Sequence, residues 1–300
     1  MPGRRASFPI LLVLSMIGAL AMVLRSAPYS LSKIYHGQFS GIAKEAKSLK
    51  LLDWNIERGL QMAGIAAAIE SQQPDICILQ EVDLNARRTG HRHVAEELAR
   101  KFQLNYVFGV EFQELSQGSR DAPAYHGQAL LSALPIRSSY ILRFVNQSDF
   151  WQPRWYLPNW QTLQRRLGGR MALVVEIEAG GATLVVYNAH LESRGDESLR
   201  LLQLEEMLAD AKSHWTEIPL IFAGDLNTGS HDSPVVRRLR QAGFRNVLGK
   251  EAVVTNLKGG SIDWIFLRGP VDFEDGRVHH EIVASDHYPL SVTIRSSSGS

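Results

Sequence analysis

The chain of 300 residues is poor in cysteine and carries almost no net charge. Its single cysteine, Cys77, cannot form an intrachain disulfide, which fits a reducing compartment but also permits an exported protein. Because Cys77 lies within the apolar run 76–79, we expect it to be an unreactive core thiol. A formal net charge of +1 excludes a global field that recruits nucleic acid, so any basic surface must be local.

Near the N-terminus, residues 8–24 form an uncharged and strongly apolar stretch that follows Arg4 and Arg5. Such flanks are typical of a signal peptide or a signal anchor rather than of a core helix. The stretch has about the minimum length for a membrane span, and residues 19–21 (Ala-Leu-Ala) offer a cleavage site.

These features predict three regions. We expect residues 1–25 to be a single-pass anchor that holds the rest of the chain outside the cytoplasm. The alternative is a secreted or periplasmic protein after signal cleavage. Residues 26–47 are mixed and polar and are interpreted as a tether, and residues 48–296 as the folded domain.

Apolar runs and helical segments alternate in the folded domain. Strands are predicted at 49–56, 76–79, 106–110, 128–131, 139–144, 171–177, 183–188, 219–223, 262–267 and 290–294. Helices are predicted at 61–71, 91–102, 196–214 and 234–241. The strand, helix and parallel strand at its start indicate an α/β organisation.

The most informative stretch is residues 219–227, an apolar strand followed by Gly224, Asp225, Leu226 and Asn227. Residues two apart on an extended segment point the same way, so Asp225 and Asn227 leave the strand side by side. This is a common way to build a rigid polar site. The alternative is a plain turn, since Gly, Asp and Asn all favour turns.

Polar residues recur at the ends of the other apolar strands as well, where layered folds gather their sites on one rim. The set is Asn55, Glu81, His190, Asp225, Asn227, Asp263, Asp286 and His287. Hard oxygen donors without cysteine suit Mg²⁺ or Mn²⁺ better than zinc. Histidines among acids can carry protons, so the set predicts metal-assisted attack of water on a phosphoester.

Each residue also has a structural interpretation. The asparagines can close turns, Glu81 can be a surface acid, and both histidines can be hydrogen-bonded core residues. Asp263 stands apart, because a charge between Ile262 and Trp264 in an apolar strand needs a partner.

Six sequence blocks resemble the endonuclease/exonuclease/phosphatase superfamily, the deoxyribonuclease-I-like fold, and they occur in its order. They are Trp54-Asn55-Ile56, Leu79-Gln80-Glu81, Asn188-Ala189-His190-Leu191, Gly224-Asp225-Leu226-Asn227, Ile262-Asp263-Trp264-Ile265-Phe266 and Ser285-Asp286-His287-Tyr288-Pro289. Weaker matches are residues 127–132 and the helix that bears Arg200 and Gln203.

The resemblance implies an α/β (α+β) fold of four layers. Two mostly antiparallel β-sheets are expected to pack face to face, with helices on both sides. It also implies hydrolysis of a phosphodiester substrate with Mg²⁺, or with Mn²⁺. By matching position, Asn55, Glu81 and Asp286 look like the metal ligands, and Glu57 falls where some members carry an additional ligand.

The catalytic positions are implied in the same way. Asp225 matches the group that orients or deprotonates the attacking water, and Asn227 the group that holds the phosphoryl oxygens. Asp263 and His287 match a carboxylate–histidine pair, and His190 matches a second phosphate-facing histidine. Because no ligand position is lost, an enzyme is favoured over a non-catalytic binding module.

Family members cleave DNA, RNA, inositol phosphates and sphingomyelin, and Arg170 matches an arginine that often faces the substrate. Residues 137–170 hold six arginines against one acid, or +5 (six minus one), together with several aromatic residues. This composition suits nucleic acid, a lipid surface contacted through residues 147–170, or a packed loop with solvated arginines. The N-terminal segment favours the membrane and a lipid or head-group phosphodiester. The alternative is a membrane-anchored or secreted endonuclease or exonuclease that acts on DNA or RNA. The sequence indicates no protein partner.

Overall fold

The computed structural model describes residues 31–40, 48–148, 150, 154, 156–214, 218–249 and 253–296. The predicted anchor at 1–25 lies outside the described residues, as do 26–30 and 41–47 of the predicted tether. Within the described ranges, every helix is too short or too polar to cross a membrane.

The described part of the chain is rich in strands. These are β1 (Ile34–Gly37), β2 (Ser48–Arg58), β3 (Ile76–Leu84), β4 (Asn105–Glu114), β5 (Ala124–Ser132), β6 (Ile136–Arg143), β7 (Arg166–Gly168), β8 (Met171–Ala179), β9 (Ala182–His190), β10 (Leu220–Asp225), β11 (Arg245–Asn246), β12 (Asp263–Arg268), β13 (Val271–Val278) and β14 (Leu290–Ser296). The α-helices are α1 (Met62–Gln72), α2 (Val94–Phe102), α3 (Glu197–Ala211) and α4 (Pro234–Gln241).

The strands form two sheets. The first has the order β1-β4-β5-β3-β2-β14-β13, with β7 paired to β4, and the second has the order β11-β12-β10-β9-β8-β6. Each sheet contains one parallel pair, β2 with β3 and β9 with β10. Helix α1 connects the first pair and α3 the second, as parallel neighbours require a crossover.

Three apolar clusters define four layers. One cluster fills the space between the sheets and includes Ile78, Leu130 and Ile221. A second packs α1 and α2 on the outer face of the first sheet, and a third packs α3 and α4 on the second. The predicted sandwich of two mostly antiparallel sheets flanked by helices is therefore confirmed.

Local capping explains why the helices were predictable. Asp196 accepts hydrogen bonds from the backbone N–H groups of Ser198 and Leu199, which starts α3. Ser233 caps α4 and Pro234 occupies its first turn, so that helix has the predicted bounds of 234–241. Cys77 is fully buried, and burial raises the pKa of its thiol, in agreement with an inert core residue.

The interpretation of residues 26–47 as a plain tether is wrong for residues 34–40. Strand β1 pairs antiparallel with β4, and Ser40 Oγ donates to the Ala133 carbonyl at 2.7 Å. Tyr35 and Phe39 pack against the cluster under α2. Four residues in a polar context gave too short an apolar pattern to recognise, so the folded unit begins earlier than the predicted residue 48.

The carboxyl ends of the two parallel pairs lie at the same edge of the sandwich. Asn55 and Gln80 are partners across β2 and β3, and Asp225 and His190 are partners across β10 and β9. Strand β12 begins beside them, because Asp263 is the antiparallel partner of Asp225. This edge is where sites are built in layered folds.

Candidate active site

Asp225 is the centre of the polar cluster and is 3% exposed. Its Oδ2 lies 3.3 Å from Asn55 Nδ2 and 3.4 Å from His190 Nε2, and its Oδ1 accepts from the Asn227 backbone N–H at 3.0 Å. Gly224 makes this arrangement possible, because a Cβ there would lie 2.0 Å from the Ala189 carbonyl oxygen. The chain therefore needs glycine immediately before Asp225.

Burial and the neighbouring charge of Asp263 raise the pKa of Asp225 from 3.8 to about 7, although His287 opposes the shift. A carboxylate with a pKa near neutrality is well suited to accept a proton. Asn227 adopts a left-handed backbone with φ of 51° and donates from Nδ2 to the Leu191 carbonyl at 3.1 Å. Its amide has a second hydrogen available for a ligand.

Asp263 and His287 form the predicted carboxylate–histidine pair. His287 Nδ1 lies 2.9 Å from both carboxylate oxygens of Asp263. Thr255 holds the carboxylate in place, because its hydroxyl donates to Asp263 Oδ2 at 2.6 Å. Trp54 Nε1 donates to the backbone carbonyl of His287 at 2.8 Å, which fixes the loop that carries the imidazole.

Burial by itself would lower the pKa of His287. The hydrogen bond and charge of Asp263, together with the charges of Asp225 and Asp286, outweigh burial and raise the pKa to about 10. His287 is thus held as a cation at neutral pH. It can donate a hydrogen bond from Nε2, which lies 3.9 Å from Asp225 Oδ2.

Replacing Asp263 with Asn is expected to lower the pKa of His287 from about 10 towards its ordinary value near 6.5. Because the pKa of His287 is raised in the folded state, its pairing with Asp263 stabilises the fold fully below pH ~6.5. This stabilisation is lost as the pH rises through about 10. Histidine NMR titration measures the shift. Thr255→Val, which removes a hydroxyl but no charge, should move the pKa less, and an unchanged His287 in Asp263→Asn would contradict the assignment.

His190 lies on the other side of Asp225 and has the opposite electrostatics. Burial lowers its pKa well below the ordinary value, and the positive charges of Arg170, His126 and His287 add to the effect. The imidazole is therefore neutral. Its Nε2 faces Asp225, and its enclosed Nδ1 has no hydrogen-bond partner among the described residues.

The predicted metal ligands lie beside this cluster. Ser285 links two of them, since its hydroxyl donates to the Asn55 carbonyl at 2.7 Å and lies 3.5 Å from Asp286 Oδ1. Burial would raise the pKa of Glu81, but the charges of His126, Arg58 and other cations outweigh it and lower the pKa. Glu81 is thus an ionised oxygen donor, and its carboxylate lies 3.2 Å from Arg58.

The donor chemistry fits a hard divalent cation. The tightest acid–histidine group among the described residues is nevertheless a different one, Asp225, Asp263 and His287, whose ligand atoms all lie within 4.8 Å of one another. A cationic imidazole has no lone pair to give a metal, and His287 Nδ1 is already bound to Asp263. The oxygen donors Asn55, Glu81 and Asp286 therefore stay the predicted metal side, and His287 is a proton-bearing group.

Glu57, the predicted additional ligand, lies two residues after Asn55. Its backbone N–H donates to Asn55 Oδ1 at 3.2 Å, but among the described residues its carboxylate has no hydrogen bond or ion pair. Arg170 is buried, and its guanidinium is held by Glu111 at 2.9 Å and by Ser193 Oγ at 3.1 Å. Its charge acts on Asp225, Glu81 and His190 from that fixed position.

Sequence reasoning missed a buried polar bridge between the sheets. Gln80 Nε2 donates to Asp53 Oδ1 at 2.8 Å and to Asn188 Oδ1 at 2.9 Å, and Asn188 Nδ2 donates to the carbonyls of Leu79 and Ala129. Burial and the charge of Asp263 raise the pKa of Asp53 well above its ordinary value. Gln80 precedes Glu81 and Asn188 lies two residues before His190, so the bridge connects the two halves of the site. Alternation along the strands could have indicated it, because these polar residues occupy inward positions.

The profile of the Endonuclease/Exonuclease/phosphatase family matches residues 54–287. A comparison with curated proteins found no match. Among solved structures, the human Nocturnin catalytic domain with bound sulfate is 17% identical, covers 90% of this chain and 100% of its own, and has a TM-score of 0.64. An endonuclease/exonuclease/phosphatase from Beutenbergia cavernae is 20% identical over 84% of this chain and 72% of its own, with a TM-score of 0.59. D. rerio TDP2 in complex with a single-strand DNA product is 21% identical over 84% of this chain and 100% of its own, with a TM-score of 0.57. These structures share the fold.

Proposed function

The chain belongs to the endonuclease/exonuclease/phosphatase family, whose members are metal-dependent phosphoester hydrolases, and from this premise we propose that it is a Mg²⁺-dependent phosphodiesterase. The observation that supports the proposal best is the cluster around Asp225, a carboxyl group with a pKa of about 7. It lies between a cationic His287 and a neutral His190. Groups of different protonation state around one acid are typical of acid–base sites.

In the proposed mechanism, Asn55, Glu81 and Asp286 hold the cation. When bound, the cation supplies Lewis-acid polarisation of the phosphoryl group and neutralises developing charge. Asp225 orients the attacking water and accepts its proton as the new P–O bond forms. The P–O bond to the alcohol group breaks, and the departing alkoxide takes a proton from solvent water. His287, kept cationic by Asp263, donates to a phosphoryl oxygen.

Two further groups complete the proposed site. Neutral His190 donates from Nε2 and positions Asp225, from which it lies 3.4 Å away. The remaining amide hydrogen of Asn227 holds a second phosphoryl oxygen. The buried cation of Arg170 attracts the anionic substrate from behind this cluster.

For the substrate we propose a lipid or head-group phosphodiester at a membrane surface. Support comes from three exposed aromatic residues in the segment that leads to Arg170: Phe150 is 58%, Tyr156 62% and Trp160 51% exposed. Large exposed apolar residues in one segment mark interaction surfaces, and Trp and Tyr favour the head-group level. Trp151 and Trp155 lie outside the described residues.

The positive field of this segment is weaker than its composition indicates. Arg143 donates to four backbone carbonyls, and Arg166 and Arg170 form ion pairs with Glu114 and Glu111. These three arginines stabilise the fold. Arg154 and Arg165 remain at the surface, so the aromatic residues contribute more to the proposed lipid contact than charge does.

A nuclease is the second candidate. It is favoured by the likeness to D. rerio TDP2, whose structure contains a single-strand DNA product. The same exposed aromatic residues are able to stack on bases, and the surface arginines to contact phosphates.

Replacing Phe150, Tyr156 and Trp160 together with Ala is expected to weaken binding to anionic vesicles. The reason is the loss of interfacial apolar area. The measurement is vesicle co-sedimentation of a chain that begins at Leu31, since this retains β1 but lacks the proposed anchor at 1–25. Leu202→Ala, an exposed leucine on α3, is the matched control. Failure of the unsubstituted chain to bind vesicles would remove the membrane proposal, and salt-sensitive binding to single-stranded nucleic acid would favour the nuclease.

A substrate panel tests the proposed function directly. The full chain should be assayed in detergent with Mg²⁺ against DNA, RNA, sphingomyelin, phosphoinositides and bis-p-nitrophenyl phosphate. Turnover of at least one diester is expected, and turnover of none would reject the proposal.

A further inference from the structure

A second carboxylate–histidine pair flanks the site and takes no part in the mechanism above. His126 on β5 and Asp83 on β3 are antiparallel partners, and His126 Nδ1 lies 3.0 Å from Asp83 Oδ1. Both side chains are almost completely buried. Arg88 fixes the carboxylate with two hydrogen bonds, of 2.6 Å to Oδ2 and 2.7 Å to Oδ1.

Strand alternation turns this pair towards the space between the two sheets. Leu130 on β5 belongs to the cluster between the sheets, and Gln128 reaches across to the Met171 carbonyl of the second sheet at 3.0 Å. His126 lies two positions before Gln128 on β5, so its side chain is on the same face of the strand. On β3, Ile78 and Gln80 face the same space, and the strand register shifts between Leu79 and Val82, at Glu81.

The electrostatics agree with this position. The charge of His126 is the foremost of those that lower the pKa of Glu81, and it also acts on His190. The His126 ring stacks on Phe112 with centroids 6.2 Å apart, and the Arg170 guanidinium lies 6.0 Å from the same Phe112 ring. His126 and Arg170 thus lie near the same Phe112 ring, and the charge of His126 acts on Glu81 of the predicted metal side.

The contact with Asp83 determines which ring nitrogen remains for a ligand. Nδ1 carries the hydrogen that is donated to the carboxylate, so Nε2 is the ring nitrogen left for a ligand, as a donor in the cation and as an acceptor in the neutral ring. Nε2 makes no hydrogen bond among the described residues. A ring nitrogen held in place near a phosphate site matches a hydroxyl group of the substrate, because a hydroxyl can both donate and accept.

We propose that His126 is a specificity-determining residue, a proposal that rests on the proposed function. Its Nε2 forms a hydrogen bond with a hydroxyl on the alcohol group next to the scissile phosphate. Asp83 and Arg88 are positioning residues that hold the ring. The enzyme then favours diesters of polyols, such as glycerol or sugar units, over diesters of plain alkyl alcohols.

Two chromogenic esters that differ only in this feature test the proposal with the full chain. They are 4-nitrophenyl 2,3-dihydroxypropyl phosphate and 4-nitrophenyl propyl phosphate. The chain is expected to prefer the first in kcat/KM. His126→Asn, which keeps a donor near Asp83 but lacks Nε2, should lower that preference ~3–10-fold, the range of one neutral hydrogen bond.

Two further variants separate recognition from structure. His126→Gln places an amide oxygen near Nε2 and should recover part of the preference. His279→Asn is the matched control, because His279 is also a buried histidine beside a carboxylate, Glu281, but its charged neighbours are Arg277 and Lys50. It should leave the preference unchanged. An unchanged ratio of kcat/KM between the two esters in His126→Asn, whether or not both rates fall, would overturn the proposal.

Hydrolysis of neither ester by the unsubstituted chain would count against the proposed function instead. In that case ¹⁵N-histidine NMR decides on His126. Glycerol 3-phosphate is expected to shift its Nε2 resonance more than propyl phosphate does, and identical spectra would overturn the assignment.

Discussion

Removal of divalent metal is expected to reduce phosphodiester hydrolysis to the uncatalysed background. The proposed ligands Asn55, Glu81 and Asp286 are neutral or anionic oxygen donors, and the lowered pKa of Glu81 keeps it ionised. Such donors prefer hard cations, so added Mg²⁺ or Mn²⁺ should restore the rate after chelation, while zinc should restore it poorly. The measurement is a rate assay on chelated protein with each metal added back.

A circular dichroism spectrum provides the control for this experiment. Three apolar clusters hold the layers together, so the chelated protein should keep its fold. Glu81→Gln should then need a higher Mg²⁺ concentration for half-maximal rate. Full activity after exhaustive chelation would rule out the mechanism.

Asp225→Asn is expected to lower kcat by ~10²–10⁴-fold, the usual contribution of one acid–base group. Asparagine keeps the shape and can still contact Asn55 and the Asn227 N–H, but it cannot accept the proton of water. The readout is kcat on a diester that the unsubstituted chain cleaves.

The same substitution should not destabilise the protein. Burial beside Asp263 raises the pKa of Asp225 to about 7, so its charge costs the folded state free energy above the ordinary pKa of 3.8. Removing the charge should therefore leave the melting temperature unchanged or raise it. Asp210→Asn on α3 is the control, because Asp210 accepts from Tyr140 and Tyr187 away from the site and should not affect kcat. A near-normal rate in folded Asp225→Asn would exclude Asp225 from the proposed role.

How much the sequence predicted depends on how local each feature is. Helix α4 was predictable because Ser233 and Pro234 mark its start. The acids and histidines of the site were predictable because they lie at or near the ends of apolar runs. Strand β13 was not predicted, since its polar residues such as Asp272 and Glu274 form an edge strand that exists through pairing with β14.

The supporting residues of the site were beyond the reach of sequence patterns for a similar reason. Thr255 lies in a loop with no motif, and its bond to Asp263 joins two segments through the fold alone. The pairing of Asp83 with His126 depends on the register of β3 against β5, across 43 positions of sequence. Strand periodicity predicts that such residues face inward but not which residue each of them meets.

The parallel pairs at the centre of the two sheets have a consequence for folding. Strands β2 and β3 with α1 supply Asn55 and Glu81, and strands β9 and β10 with α3 supply His190 and Asp225, so each βαβ unit holds part of the site. Strand β12 adds Asp263, and the loop before β14 adds Asp286 and His287. Neither βαβ unit contains all of the proposed catalytic residues alone. Gln80 and Asn188 join the two units inside the sandwich. Catalysis is therefore an all-or-none reporter of sheet docking. A folding intermediate with one finished sheet, or with two undocked sheets, has native strand pairing but no active site.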